Sequence, residues 1–155
     1  MKWLFTLTAF FVMDVAGDAL LRRQSQPPSC VTGPRLNAQA AQDAATQYCQ
    51  NLIDSKVVLS GNTQNPAPGI QQGKAENGGS MALAVMFDQS LCPPDQSTST
   101  LDFAAMGLDT CVENLYTNIQ LVCSQDSTWG SYDPQWTLLG GTFGASCGLF
   151  SLYGQ

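Results

Sequence analysis

Gly144-Ala145-Ser146-Cys147-Gly148 spells the Gly-x-Ser-x-Gly pattern of a hydrolase nucleophile elbow. That chemistry needs a strand before the serine, a helix after it and a downstream histidine as base. Only seven residues follow Gly148, and the chain contains no histidine. The pentapeptide therefore reads as a glycine-rich strand segment that carries a cysteine. The same absence removes Ser-His and Cys-His nucleophiles, most transition-metal sites and histidine-based pH switching. Gly69-Ile70-Gln71-Gln72-Gly73-Lys74-Ala75 approximates a phosphate loop, but its spacing is wrong and Ala75 stands where the metal-binding hydroxyl belongs. It reads as a solvated loop, with Lys74 kept as a candidate binding cation.

Carboxylates are the remaining route to catalysis, since glycoside hydrolysis asks only for two acids about 5–9.5 Å apart across a cleft. Asp109 and Glu113 are four residues apart and would share one helix face. Like charges at that spacing repel, so the pair reads as a solvent-facing polar side. Nothing in the sequence pairs Asp88, Asp126 or Asp133. No enzyme, cofactor or metal is expected. The aromatics Trp129, Tyr132 and Trp136 cluster around a turn. Flat rings of this kind stack on sugars or anchor protein interfaces, and in a small cross-linked domain they also close cores.

These residues sit in a chain built for export. Lys2 precedes an apolar run from Trp3 to Met13, followed by the small residues Ala16, Gly17 and Ala19. This is the pattern of a cleaved signal peptide over residues 1–19, and the run is too short to span a bilayer. Residues 20–34 read as a leader or connector. Its Arg22-Arg23 pair offers a dibasic processing site, against the plainer reading of an incidental polar patch. Beyond residue 23, three basic side chains face ten carboxylates, a net charge of −7. A field of that sign repels phosphate backbones and anionic headgroups, so nucleic acid and membrane surfaces are not expected partners.

Cys30, Cys49, Cys92, Cys111, Cys123 and Cys147 all lie in this exported part, with no Cys-x-x-Cys spacing among them. An even count behind a signal peptide implies three disulfides, and fifteen pairings remain open.

Hydrophobic periodicity supplies the elements that would hold these groups. Leu101, Ala104, Ala105, Leu108, Val112, Leu115, Ile119 and Val122 recur at helical steps, predicting one continuous helix over residues 99–123 that starts at a capping box on Ser99. An alanine-rich helix is predicted over 36–55, with Leu36, Ala40, Ala44, Tyr48 and Leu52 stepping by four. Short strands are expected at 56–60 and 81–87, a long loop at 62–80, and a glycine-rich hairpin over 135–153. The order predicts a disulfide-stabilised α+β domain over residues 35–155. Its two helices pack on one face of a small antiparallel sheet, a split βαβ-like sandwich.

Several of these features together resemble a family of small secreted fungal proteins. They are the signal peptide, Arg22-Arg23, the six cysteines, Cys111-Val112-Glu113-Asn114-Leu115-Tyr116 leading to Cys123, and Gly140-Gly141-Thr142 leading to Cys147. Within that group the chain is similar to the α/β-sandwich killer toxins and to effectors sharing their fold. The resemblance implies an extracellular, non-enzymatic protein acting on a host or competitor, and it supplies no residue-level site. The competing expectation is a carbohydrate-binding or carbohydrate-cleaving cell-wall protein, with Trp129, Tyr132 and Trp136 as its platform. The surfaces expected to bind are the 62–80 loop and the turn spanning Trp129 to Trp136.

Overall fold

The computed structural model describes residues 25–94, 100–125 and 133–155. The expected signal peptide, Arg22-Arg23 and the expected cap Ser99 lie outside them. The first helix, α1 (Ala38–Asp54), forms where the alanine content predicts it. Asn37 caps it, its side-chain oxygen accepting from the Ala40 N–H at 2.9 Å. Ala41, Ala44, Ala45, Tyr48, Cys49 and Leu52 make the buried face. The helix closes when the Lys56 and Val57 N–H groups turn back onto the Ile53 and Leu52 carbonyls, with Lys56 at φ 50°. Lys56 is thus spent on the helix end, and the strand expected at 56–60 shrinks to β2 (Val58–Leu59).

The second helical stretch departs from its prediction. Leu101 and Asp102 form β5, paired with β2, and bring the end of α1 beside the start of the next helix. Asp102 caps it, accepting from the Ala104 and Ala105 N–H groups at 2.9 and 3.1 Å. The helix breaks after α2 (Phe103–Met106) at Gly107, whose φ of 80° only glycine adopts without strain. It resumes as α3 (Leu108–Val112), widens into a π turn (Glu113–Thr117) and ends as α4 (Asn118–Cys123). A π turn inserts a residue into the helical count and rotates the later residues by about 100°. The buried set is therefore Phe103, Cys111, Asn114, Leu115, Tyr116, Ile119 and Cys123, while Ala104, Ala105 and Val122 of the expected stripe are exposed.

Five strands, β1 (Ser25–Cys30), β3 (Gly69–Gln71), β4 (Met81–Phe87), β6 (Gly140–Ala145) and β7 (Gly148–Gly154), form one antiparallel sheet in the order β1-β6-β7-β4-β3. Its centre is β4 (Met81–Phe87) on β7 (Gly148–Gly154), and β6 (Gly140–Ala145) joins β7 as the expected hairpin. Ser146 and Cys147 form that hairpin's two-residue turn, with φ 52° and 68°, the left-handed pair that a type I′ turn requires. Cys147 is held in place by its N–H to Leu91 and its carbonyl from the Asp88 N–H. The Gly-x-Ser-x-Gly segment is a hairpin corner, not a strand-to-helix elbow.

Residues 25–30, expected to be connector, form the edge strand β1 (Ser25–Cys30), so the sheet begins ahead of residue 35. The pairing steps from Gln26↔Gly144 to Ser29↔Thr142, which leaves Pro27 and Pro28 in a one-residue bulge. Proline cannot donate to a ladder and is tolerated there. The 62–80 segment is likewise not all loop, since it contains the opposite edge, β3 (Gly69–Gln71).

Met81, Leu83 and Val85 of β4 and Phe150 and Leu152 of β7 point to one face and are buried under both helices. The result is the expected α+β arrangement, helices on a single sheet face. The other face carries Ile70, Met86, Leu149, Ser151 and Tyr153. Three disulfides lock the layers: Cys30–Cys123 ties β1 to α4, Cys49–Cys111 ties α1 to α3, and Cys92–Cys147 ties the strap after β4 to the β6–β7 corner. This is a small disulfide-stabilised protein of the kind that oxidising, extracellular compartments hold. No helix among the described residues is long and apolar enough to cross a membrane.

Replacing Cys49 and Cys111 together by alanine opens a loop of 62 residues. Loss of that cross-link is expected to cost about 4 kcal/mol of unfolding free energy by the chain-entropy relation. Urea unfolding of the double variant checks this; a loss below about 1 kcal/mol would mean that packing alone holds α1 on α3.

Candidate functional site

Leu36 joins a residue of the 62–80 segment to one just past the expected 129–136 turn. Leu36 makes antiparallel bridges to Ala75 on one side and to Leu138 on the other. Its N–H and carbonyl bond Leu138 at 2.7 and 3.2 Å, and the Arg35 carbonyl accepts from the Glu76 N–H at 2.7 Å. Lys74, one residue before Ala75, and Trp136, two before Leu138, therefore flank a common three-segment junction. Lys74 is exposed and has no ion-pair partner among the described residues. Trp136 is half-buried and donates its backbone N–H to the Asp133 carbonyl at 3.0 Å. Trp129, Tyr132 and Asp126 lie outside the described residues.

Beside Leu36 stands an ion pair that the sequence did not announce. Arg35 grips Glu76 through Nε and Nη2, at 2.9 and 2.6 Å, and donates to the Gln125 amide at 3.4 Å. The forked bond from Arg35 holds the Glu76 carboxyl below the usual carboxylate range, and the same bond raises Arg35 further. The junction is thus a structural clamp with one exposed cation and one half-exposed indole at its rim.

Among the described residues several carboxylates serve as caps or turn acceptors. Asp88 and Asp102 cap short helical turns, and Asp133 accepts from the Gln135 N–H at 2.9 Å. Asp109 and Glu113 are both exposed on the second helical stretch. Among the described residues no group of three or more cysteine, aspartate or glutamate side chains is placed to hold a metal ion.

A different concavity opens where the 62–80 segment faces α1. Ala44, Gln47, Tyr48 and Asn51 of α1 face Gly69, Ile70 and Gln71 of β3, with Leu83 at the floor, around a groove of about 190 Å³. Its shape depends on close approach at Gly69, where a Cβ would stand 2.9 Å from the Tyr48 ring. The Tyr48 hydroxyl donates to the Ala67 carbonyl at 3.1 Å and pins the 62–68 segment beside the groove. Burial pushes the Tyr48 phenol up, against a smaller opposing effect from a backbone hydrogen bond at Val85, so it stays protonated at neutral pH. The lining offers amides, backbone groups and apolar surface. The sequence carried only a faint sign of it: Gln47 and Asn51 at an i, i+4 step, and three strand-compatible residues between Pro68 and Gly73.

The chain matches no protein-family model, no curated protein and no solved structure.

A carboxyl whose pKa is depressed in the folded state stabilises that state above its unfolded pKa, about 4.3 for glutamate, and loses the contribution as pH falls through the lower folded value. Glu76→Gln is therefore expected to lower the urea midpoint by a constant amount from about pH 8 to 5, with the gap closing below about pH 4. A gap that persists unchanged to pH 2 would show that the Glu76 charge is not what the clamp uses.

Proposed function

We propose that this chain is a secreted interaction protein of the effector or toxin kind, acting outside the cell on a protein of a host or competitor, by binding and not by bond cleavage. The observation that carries this reading is the groove between α1 and β3. Its lining can donate and accept hydrogen bonds and bury apolar groups, and it contains no carboxylate, no basic side chain and no free thiol. General acid-base work needs a titratable group poised near the operating pH. The single titratable group in the groove, Tyr48, is held neutral by burial. A lining of that kind supports recognition over proton transfer. Three disulfides joining separate elements suit a molecule that must persist outside the cell.

A second reading, a carbohydrate-binding wall protein, is favoured by one observation. Trp136 is only half-buried, at the rim of the Leu36 junction, where its ring can offer a stacking surface to a sugar.

Two assays separate the readings. Purified full chain applied to competitor or host cells is expected to alter their growth or viability and to be retained weakly or not at all on insoluble chitin, glucan or cellulose. Retention on one of these that falls about tenfold in Trp136→Ala, as loss of a stacked ring would cause, supports the carbohydrate reading and sinks the first.

A further inference from the structure

We propose that the groove between α1 and β3 is a strand-addition site, in which an extended, basic segment of a partner protein pairs with the backbone of Gly69–Gln71 and lies against Gln47 and Asn51. The proposal rests on reading the chain as an interaction protein, and it names the kind of partner.

The sheet has two edges that differ in how they are protected. On β1, Pro27 and Pro28 remove donors and a bulge twists the strand away, which are standard devices against edge pairing. The β3 edge has neither. Gly69-Ile70-Gln71 contains no proline and no charge, and its register with Leu83, Ala82 and Met81 is unbroken. In an antiparallel ladder the backbone groups of successive residues alternate between the neighbour and the open side. No hydrogen bond among the described residues engages the open side of β3.

Across the groove, Gln47 and Asn51 are exposed, and their side-chain amides make no hydrogen bond among the described residues. Their neighbours behave differently. Gln39 donates to Asp43 at 3.0 Å and Gln50 to Asp54 at 2.8 Å. A strand laid along β3 would place alternate side chains on the Tyr48–Leu83 floor and the others toward solvent. Main-chain pairing then supplies affinity, and the floor selects an apolar residue at every second position.

Charge selects the rest. Asp43, Gln47, Asn51 and Asp54 recur at four-, four- and three-residue steps, one stripe of α1 with a carboxylate at each end. The helix carries no lysine or arginine. Asp43 makes its charge felt beyond the stripe, adding to the rise that burial imposes on the Tyr116 phenol. An incoming segment with lysine or arginine between its apolar residues meets complementary charge at both ends, and an acidic one meets repulsion.

The test uses the full chain, ¹⁵N-labelled with its disulfides intact, titrated with a hexapeptide of alternating valine and lysine. Amide shifts confined to α1 and Gly69–Gln71 are expected. Affinity should fall about tenfold when alternate peptide bonds are N-methylated, when lysine is replaced by glutamate, or in Asn51→Lys, an exposed substitution that leaves the core untouched. Equal binding of the N-methylated peptide, shifts elsewhere, or no shift at β3 at millimolar peptide overturns strand addition and leaves the interaction reading intact. A chain that binds the peptide as described yet is inert on every cell tested would overturn that broader reading while the groove's specificity stands.

Discussion

The pairing of β4 with β7 is the interaction on which the rest of the molecule depends. Seven residues of each strand align without a break, from Met81↔Gly154 to Phe87↔Gly148, joining the middle of the chain to its end. This register alone puts Met81, Leu83, Val85, Phe150 and Leu152 on a common face. A shift by one residue would turn a whole strand's core set outward, because side chains alternate with a period of two. Both helices lie on this floor; β3 attaches to its β4 side and β6 to its β7 side, with β1 beyond β6. The chain end closes the far corner, where Gln155 and Ser80 exchange backbone hydrogen bonds at 2.8 and 2.7 Å.

Around that floor the disulfides act on peripheral elements that could not hold themselves. The edge strand β1 is interrupted by two prolines, and Cys30–Cys123 secures it to α4. The β6–β7 corner asks two non-glycine residues to adopt left-handed backbone, and Cys92–Cys147 secures it to the strap. The second helical stretch is broken at Gly107 and widened at residues 113–117, and Cys49–Cys111 clamps it to α1 between the two irregularities. By constraining the unfolded chain, the cross-links let such short and irregular pieces persist. The molecule can then leave one sheet edge bare and a groove open beside it without losing its shape.

The charged groups divide between architecture and surface. Arg35 and Glu76 hold the Leu36 junction, and Asp88, Asp102 and Asp133 serve as caps or turn acceptors. The exposed remainder is acidic, in keeping with a net charge of −7 beyond residue 23. A neutral recess lies between an α-helix and a strand edge.

Much of this was legible in the residues themselves. Alanine spacing marked α1 to within two residues at its start, because helix propensity and a one-sided apolar stripe act locally. The apolar run at β4 and the glycine-rich hairpin were likewise readable from period and turn chemistry. The lack of histidine removed histidine-dependent mechanisms. What sequence could not supply was anything set by contacts distant along the chain. Gly107 breaks the helix and the π turn rephases it because Cys111, Leu115, Ile119 and Cys123 must all reach one core. Residues 25–30 are too proline-marked and residues 69–71 too short to read as strands, and they became strands only by pairing with β6 and β4. Which cysteine joins which, the Arg35 clamp and the groove were decided the same way. Each is a meeting of segments far apart along the chain, and no local period records such a meeting.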